Sequence, residues 1–248
     1  MIIEQVQVIS NQQIADATYE MVLKAEMATK MKPGQFVNLK VEGFLLRRPI
    51  SICQYDQFNH TFTIIYKVVG DGTQKLTTLK VGDFLDCMGP LGSHFPIEAQ
   101  TTALLVGGGV GVPPLYETAK QLLAVGTQVQ VVLGFADAQA AFYIDEFEQL
   151  GATVYVATDN GTLGTHGRVT NVIAEQQLTA EYVYACGPEA MLRVLETRFE
   201  KGYLSFEARM ACGIGACMAC VCKDREDTDL YYRICKEGPV FPVGKVGF

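Results

Sequence analysis

The sequence predicts an all-β domain followed by an α/β domain: a small antiparallel β-barrel, then a parallel doubly wound sheet, with a short cysteine-rich module at the C-terminal end. Three observations predict it. Short runs alternating apolar and polar residues fill positions 1–98, strand patterns alternate with helical ones over 99–205, and positions 206–248 lose the helical period while holding five of the eight cysteines. At 248 residues the chain is long enough for two domains and an appendage, each able to bury its own core.

In the first segment the runs VQVIS, FVNLKV, FTIIYKVV and FLDCM are separated by the turn signals KPGQ, GDGTQ and GPLG, the pattern of strands in a barrel. The stretch IIYKVVGDGTQKLTTL leads from a strand through a glycine turn into a helix expected near Thr73, whose start offers an anion site with a hydroxyl as cap. LLRRPISIC sets Arg47 and Arg48 against a strand containing Ser51. Paired cations beside a buried strand are costly unless they face a partner, for which a phosphate is suited; a solvated strand end is the alternative.

From position 101 strands and helices alternate: TTALLVGGG, VPPLYETAKQLLAVG, QVQVVLGF, YIDEFEQLG, TVYVATD, YVYACGP and MLRVLETRFEKG. Gly108, Gly109 and Gly111 lie in a G-x-G-x-x-P loop between a strand and a helix, where helix-start N–H groups would hold a pyrophosphate. Pro114 takes the place of the last glycine of the ordinary dinucleotide pattern, and a plain glycine turn before a helix is the competing reading. Cys186, Gly187 and Pro188 follow another strand, so both motifs fall at carboxyl ends of parallel strands, where open α/β sheets bind ligands. Asp137 follows the second strand with no Arg or Lys between Phe135 and Phe142, which favours NAD over NADP.

Cys212, Cys217 and Cys220 have C-x4-C-x2-C spacing, and Cys235 follows after fourteen intervening residues. This is the plant-type two-iron pattern, in which four thiolates hold a [2Fe-2S] cluster. Gly213, Gly215, Ala216 and Ala219 let the chain curl closely enough for N–H groups to reach the anionic sulfurs. A four-cysteine zinc staple is the alternative, but zinc ribbons favour two C-x2-C pairs and this segment has one. Spacing leaves open whether Cys220 or Cys222 is the third ligand. Cys53 and Cys87 sit in strand-like runs, as buried inert thiols do.

The net charge of −7, with no basic cluster, argues against nucleic acid as a partner. No apolar run approaches the length of a membrane span, and MIIEQVQVIS reads as a strand rather than a secretory signal, so a cytoplasmic protein is expected. In a reducing compartment the cysteines read as metal or redox ligands before disulfides.

Through RRPIS, GGGVGVPP, CGPEAM and FEARMACGIGACMACVCK the chain resembles the ferredoxin reductase superfamily over essentially its whole length, and within it the electron-transfer subunits of dihydroorotate dehydrogenase B. The cysteine segment is the most specific part of the likeness. The resemblance implies an FAD-binding barrel, with Arg48 on the FAD pyrophosphate, Pro49 and Ile50 beside it, Ser51 at the reactive edge of the isoalloxazine, and further contacts at Ile65, Tyr66, Lys67, Gly72 and Thr73. It implies an NAD-binding second domain, and Cys220 rather than Cys222 as cluster ligand alongside Cys212, Cys217 and Cys235. It further implies electron transfer between NAD(H) and a separate FMN-containing dihydroorotate dehydrogenase catalytic subunit, in a heterotetramer serving pyrimidine synthesis. Two rivals are a subunit coupling NAD(H) to ferredoxin or another flavoprotein, and a non-catalytic adaptor stapled by zinc. The sequence departs from the wider superfamily at Ile50, where a tyrosine often stacks on the flavin, and at Ser93 and His94, where Asn-Gly is common.

Overall fold

The computed structural model describes residues 1–227 and 229–247. Six antiparallel strands, β1 (Ile2–Ala15), β2 (Thr18–Lys24), β3 (Phe36–Leu39), β4 (Arg48–Asp56), β5 (Thr61–Lys67) and β6 (Phe84–Leu91), close in the order β1-β2-β5-β4-β3-β6. Closure leaves no free sheet edge except where β4 and β5 part beyond Ile52 and Ile64. Alternate residues such as Val6, Val8, Met21, Leu23, Val37 and Leu39 fill the interior. Helix α1 (Asp71–Leu76) begins at Asp71 rather than near Thr73, because the Thr73 hydroxyl reaches back to accept the N–H groups of Val69 and Gly70 and so sits one turn inside the helix.

The second domain contains β7 (Thr102–Gly108), α2 (Pro113–Ala124), β8 (Gln128–Phe135), α3 (Ile144–Gln149), β9 (Thr153–Thr158), β10 (Thr165–His166), α4 (Val169–Glu175), β11 (Tyr182–Cys186), α5 (Glu189–Arg198) and β12 (Gly202–Ser205). Along β7, Ala103 and Leu105 face one core with α2 and α3, while Leu104 and Val106 face the other with α4 and α5. Burial on both faces explains why these strands read as nearly unbroken apolar runs. The order β10-β9-β8-β7-β11-β12 reverses direction between β7 and β11, so the two glycine-containing motifs end side by side at the switch point.

The cysteine-rich tail forms β13 (Val221–Asp224), β14 (Tyr231–Arg233), β15 (Val240–Pro242) and β16 (Val246–Gly247). Three of these make a small sheet, β14-β13-β16. The buried Asp224 carboxylate organises it, accepting from Tyr232 Oη at 2.8 Å and pairing with Lys245 Nζ at 2.7 Å. β15 leaves the module and pairs antiparallel with β12 at the sheet edge, Leu204 opposite Phe241.

Side chains bind the domains together. The Tyr143 hydroxyl donates to Glu20 Oε2 at 2.7 Å, Gln121 Nε2 donates to Tyr55 Oη at 2.7 Å, and Asp16 N–H donates to the Gln139 carbonyl at 2.8 Å. Ser93, one of the two departures in its loop, ties barrel to tail: its hydroxyl donates to the Val240 carbonyl and accepts the Val240 N–H. Tyr143→Phe keeps the ring packing and removes only the hydroxyl. It is expected to cost about 1–2 kcal/mol, measured as a lower urea midpoint with unchanged slope.

Candidate functional site

The β4–β5 ladder starts at Asp56 opposite Thr61 and ends at Ile52 opposite Ile64, with a bulge at Cys53. Beyond that point Arg48–Ser51 and Ile65–Lys67 leave the ladder, and the barrel opens between them. Bulges commonly end pairing beside ligand sites, and strands that part in this way present main-chain groups to a bound ring. Arg48, Pro49, Ile50 and Ser51 are all partly exposed there. Arg48 stacks its guanidinium 4.7 Å from the Phe44 ring and donates to the Leu46 carbonyl. It also lies against Gly72, where a Cβ would come 2.4 Å from Nε. One cation and the first turn of α1 therefore lie side by side, an arrangement that suits a pyrophosphate.

The neighbouring arginine has another task. Arg47 is committed inside the barrel wall, donating to the Asn38 and Asp86 carbonyls at 3.2 Å and pairing with the Asp86 carboxylate at 2.8 Å. Only Arg48 of the pair faces the opening. Tyr66 is 1% exposed and donates its hydroxyl to Asn11 Oδ1 inside the barrel, so it can meet a ligand through its main chain alone. Thr73 Oγ1 is engaged by its own turn.

In the second domain the two motifs touch. A Cβ on Gly111 would stand 2.1 Å from the Cys186 carbonyl oxygen, and one on Gly108 2.8 Å from Pro188 Cδ. Gly109 has φ +53 with open space around it, a conformation suited to glycine. Gly187, at φ +153, packs on Gly108. Helix-start N–H groups are expected from the sequence to hold a pyrophosphate, but the first turn of α2 has few of them to give. Helix α2 opens with Pro113 and Pro114, which have no N–H, and the N–H groups of Val112 and Leu115 are spent on Gly109 and Val112 carbonyls. Close approach of backbone is what Gly108–Gly111 provides, ahead of the two prolines. Cys186 is 1% exposed, with its thiol bonded to Ser205, and burial pushes that thiol well above its ordinary range. Asp137 caps its own turn, its Oδ1 accepting the Ala140 N–H at 2.9 Å.

The four cysteines expected as ligands come together as two pairs. The sulfurs of Cys212 and Cys217 are 3.3 Å apart, and Cys235 interacts with the Cys220 side chain. Two pairs suit two irons, each taking two thiolates. Among the described residues no three metal-binding side chains gather around a single ion. The glycine and alanine run provides the N–H groups: Ile214 and Cys217 donate to Cys212 Sγ at 3.5 and 3.4 Å, and Gly215 donates to Cys235 Sγ at 3.1 Å. Burial acts against the Cys212 thiolate, but these N–H groups and the Cys217 thiol outweigh it and hold the group at about 6. Burial and the nearby Cys220 push Cys235 up to about 12. Arg233 braces the loop, donating to the Gly215 carbonyl at 2.7 Å while Glu237 holds the other end of its guanidinium. Cys222 turns elsewhere, to the Tyr232 carbonyl at 3.7 Å, and burial raises it to about 11.

A flavin opening in a barrel, a nucleotide edge in a doubly wound sheet and a paired-cysteine loop define a flavin-dependent reductase of the ferredoxin reductase type with its own iron–sulfur module. The chain matches the family models described as oxidoreductase FAD-binding domain over residues 5–95, oxidoreductase NAD-binding domain over 105–197, and iron–sulfur cluster binding domain of dihydroorotate dehydrogenase B over 207–247. It is 50% identical to proteins of Bacillus cereus and Bacillus anthracis named dihydroorotate dehydrogenase B (NAD(+)), electron transfer subunit, over 96% of both chains. It is also similar to a solved NADH-dependent reduced ferredoxin-NADP oxidoreductase, with TM-score 0.89 and 28% identity over 98% of this chain and 90% of that one. The ferredoxin reductase in carbazole 1,9a-dioxygenase shares the fold at TM-score 0.70 and 20% identity, over 80% of this chain and 65% of that one. The chain belongs to the electron transfer subunits of NAD-dependent dihydroorotate dehydrogenase B, and so carries FAD, NAD and iron–sulfur cluster domains.

Gly111→Ala drives a methyl group into the Cys186 carbonyl. It is expected to raise KM for NADH about tenfold in a dye-reduction assay while leaving the flavin absorption unchanged. In cluster-free protein, iodoacetamide at neutral pH should label Cys212 before Cys53, Cys87 and Cys186, as read by peptide mass spectrometry.

Proposed function

We propose that this chain carries electrons between NAD(H) and an FMN-containing dihydroorotate dehydrogenase catalytic subunit in the cytoplasm, within a heterotetramer of two copies of each chain. The observation that supports this most strongly is the cluster loop, which packs its glycines against barrel and tail and turns apolar residues outward. Ile214, Met218 and Val221 are 39%, 62% and 37% exposed around the paired cysteines. Exposed apolar residues of this kind suit the core of a protein interface. Among the described residues no helix is long and apolar enough to cross a membrane.

In this reading Arg48 and the first turn of α1 neutralise the FAD pyrophosphate, the main chain of Ile65–Lys67 and the Pro49 and Ile50 stretch bracket its ring, and Ser51 places a hydroxyl at the ring's edge. Gly108, Gly109, Gly111, Gly187 and Pro188 keep side chains away from the nicotinamide path. Cys186 closes that path as a small neutral group, since its buried thiol remains protonated. The N–H groups of Ile214, Gly215 and Cys217 offset negative charge on the sulfurs of Cys212 and Cys235. A flavin exchanges electron pairs with nicotinamide and single electrons with an iron–sulfur cluster, so its place lies between the two. The likeness to the NADH-dependent reduced ferredoxin-NADP oxidoreductase supports a second reading, in which ferredoxin replaces the FMN subunit.

The test uses the co-purified complex. Dihydroorotate-dependent reduction of NAD+ is expected, together with a paramagnetic signal on reduction. Cys220→Ser should lower that turnover by about 100-fold or more while sparing dye reduction by NADH. A fully loaded pair that is inactive with dihydroorotate and active with ferredoxin decides for the second reading.

A further inference from the structure

Asn38 is 1% exposed, and both atoms of its carboxamide, Nδ2 and Oδ1, are buried with no hydrogen-bond partner among the described residues. Native interiors retain an amide of this kind where something else completes its bonds. Its surroundings indicate what that is. Along β3, Val37 and Leu39 point into the barrel, so Phe36 and Asn38 point out of it. Across the β3–β4 ladder Asn38 lies opposite Pro49, and Phe36 opposite Ser51. Residues directly opposite one another share a face, which places the carboxamide on the side of the sheet that carries Pro49 and Ser51. On its far side is the cluster loop, where a Cβ on Gly213 would stand 2.2 Å from Nδ2. Gly213 itself has φ +69, and this contact together with that φ explains why the position takes glycine. The main chain of Asn38 is fixed as well, its carbonyl accepting from Arg47.

We propose that Asn38 is a positioning residue for electron exchange. Its carboxamide registers the cluster loop against the flavin-lining stretch of β4, and its N–H groups supply a dipole toward the anionic iron–sulfur site. This rests on the site assignment made above. An N–H dipole stabilises the more negative, reduced form, so removing it makes reduction harder.

The experiment compares the wild-type complex with Asn38→Leu, which keeps the volume without polar atoms, and Asn38→Asp, which keeps the shape while replacing donor by acceptor. The readouts are an electron-paramagnetic-resonance redox titration of the cluster, its spectrum, and the flavin absorption. Asn38→Leu is expected to make one-electron reduction about tenfold less favourable, a shift of about 59 mV to more negative potential. Asn38→Asp should shift further in the same direction, with changed spectral line shape. If the Leu variant fails to assemble, the isosteric Asp variant carries the measurement. Wild-type potential and line shape in a loaded variant overturn the role of Asn38. A wild-type complex with no cluster signal or no flavin band overturns the site assignment beneath it.

Discussion

The end of the β4–β5 ladder at Ile52 and Ile64 is the constraint on which the rest of the molecule depends. A barrel paired along its full length would satisfy every main-chain group and leave nothing for a ligand. By releasing Arg48–Ser51 and Ile65–Lys67 from each other, the fold exposes donors and acceptors on two facing stretches while the remaining strands stay closed. The support for this comes from the paired part of β4, where Ile52 joins the barrel core and Tyr55 bonds Gln121 of the second domain. The opening is thus anchored on both sides by ordinary packing, and its geometry survives the loss of pairing.

The same economy places the other two sites. Parallel strands β7 and β11 are neighbours whose connections run to opposite sides, so the loops after them diverge and leave a crevice without any special residue to make it. The tail then fixes the third site relative to the first two. Its strand β15 pairs with β12, and the Ser93 hydroxyl bonds both main-chain groups of Val240, so one short segment is held by the sheet and by the barrel together. The cluster loop lies between β12 and β15 in the chain, and its Gly213 packs against Asn38 of β3.

Much of this was legible in the sequence, because period-two and helical patterns, glycine turns and cysteine spacing are local signals. The barrel, the doubly wound sheet and the Cys212, Cys217, Cys220, Cys235 grouping follow from such signals. What was not legible depends on tertiary contact. Arg47 and Arg48 look alike in LLRRPIS, yet Asp86, 39 residues away in sequence, takes one of them. The prolines that open α2 were visible, but their effect on the donor count emerges only once the N–H groups of Val112 and Leu115 are seen to be occupied. Asn38 gave no signal at all, since FVNLKV reads as an ordinary alternating strand and the residue becomes unusual only when the tail folds over it.

Eight thiols in one chain have to be sorted into ligands and bystanders, and the fold sorts them by position, bringing Cys212 to Cys217 and Cys220 to Cys235. Cys53, Cys87 and Cys186 are all buried. In each, burial disfavours the charged form, raising Cys87 to about 12 and the other two beyond the ordinary thiol range. A buried thiol held protonated, with no second thiol beside it, reacts slowly with oxidants even close to a redox centre. Cys212 differs because its sulfur sits within reach of several main-chain N–H groups on a loop that only small residues can form. Cys222, two positions from a ligand, is withdrawn into the β13–β14 pair and given a carbonyl instead of donors. Proximity in sequence therefore does not decide which sulfurs take up the cluster. Pairing in space does, since Cys212 meets Cys217 and Cys220 meets Cys235.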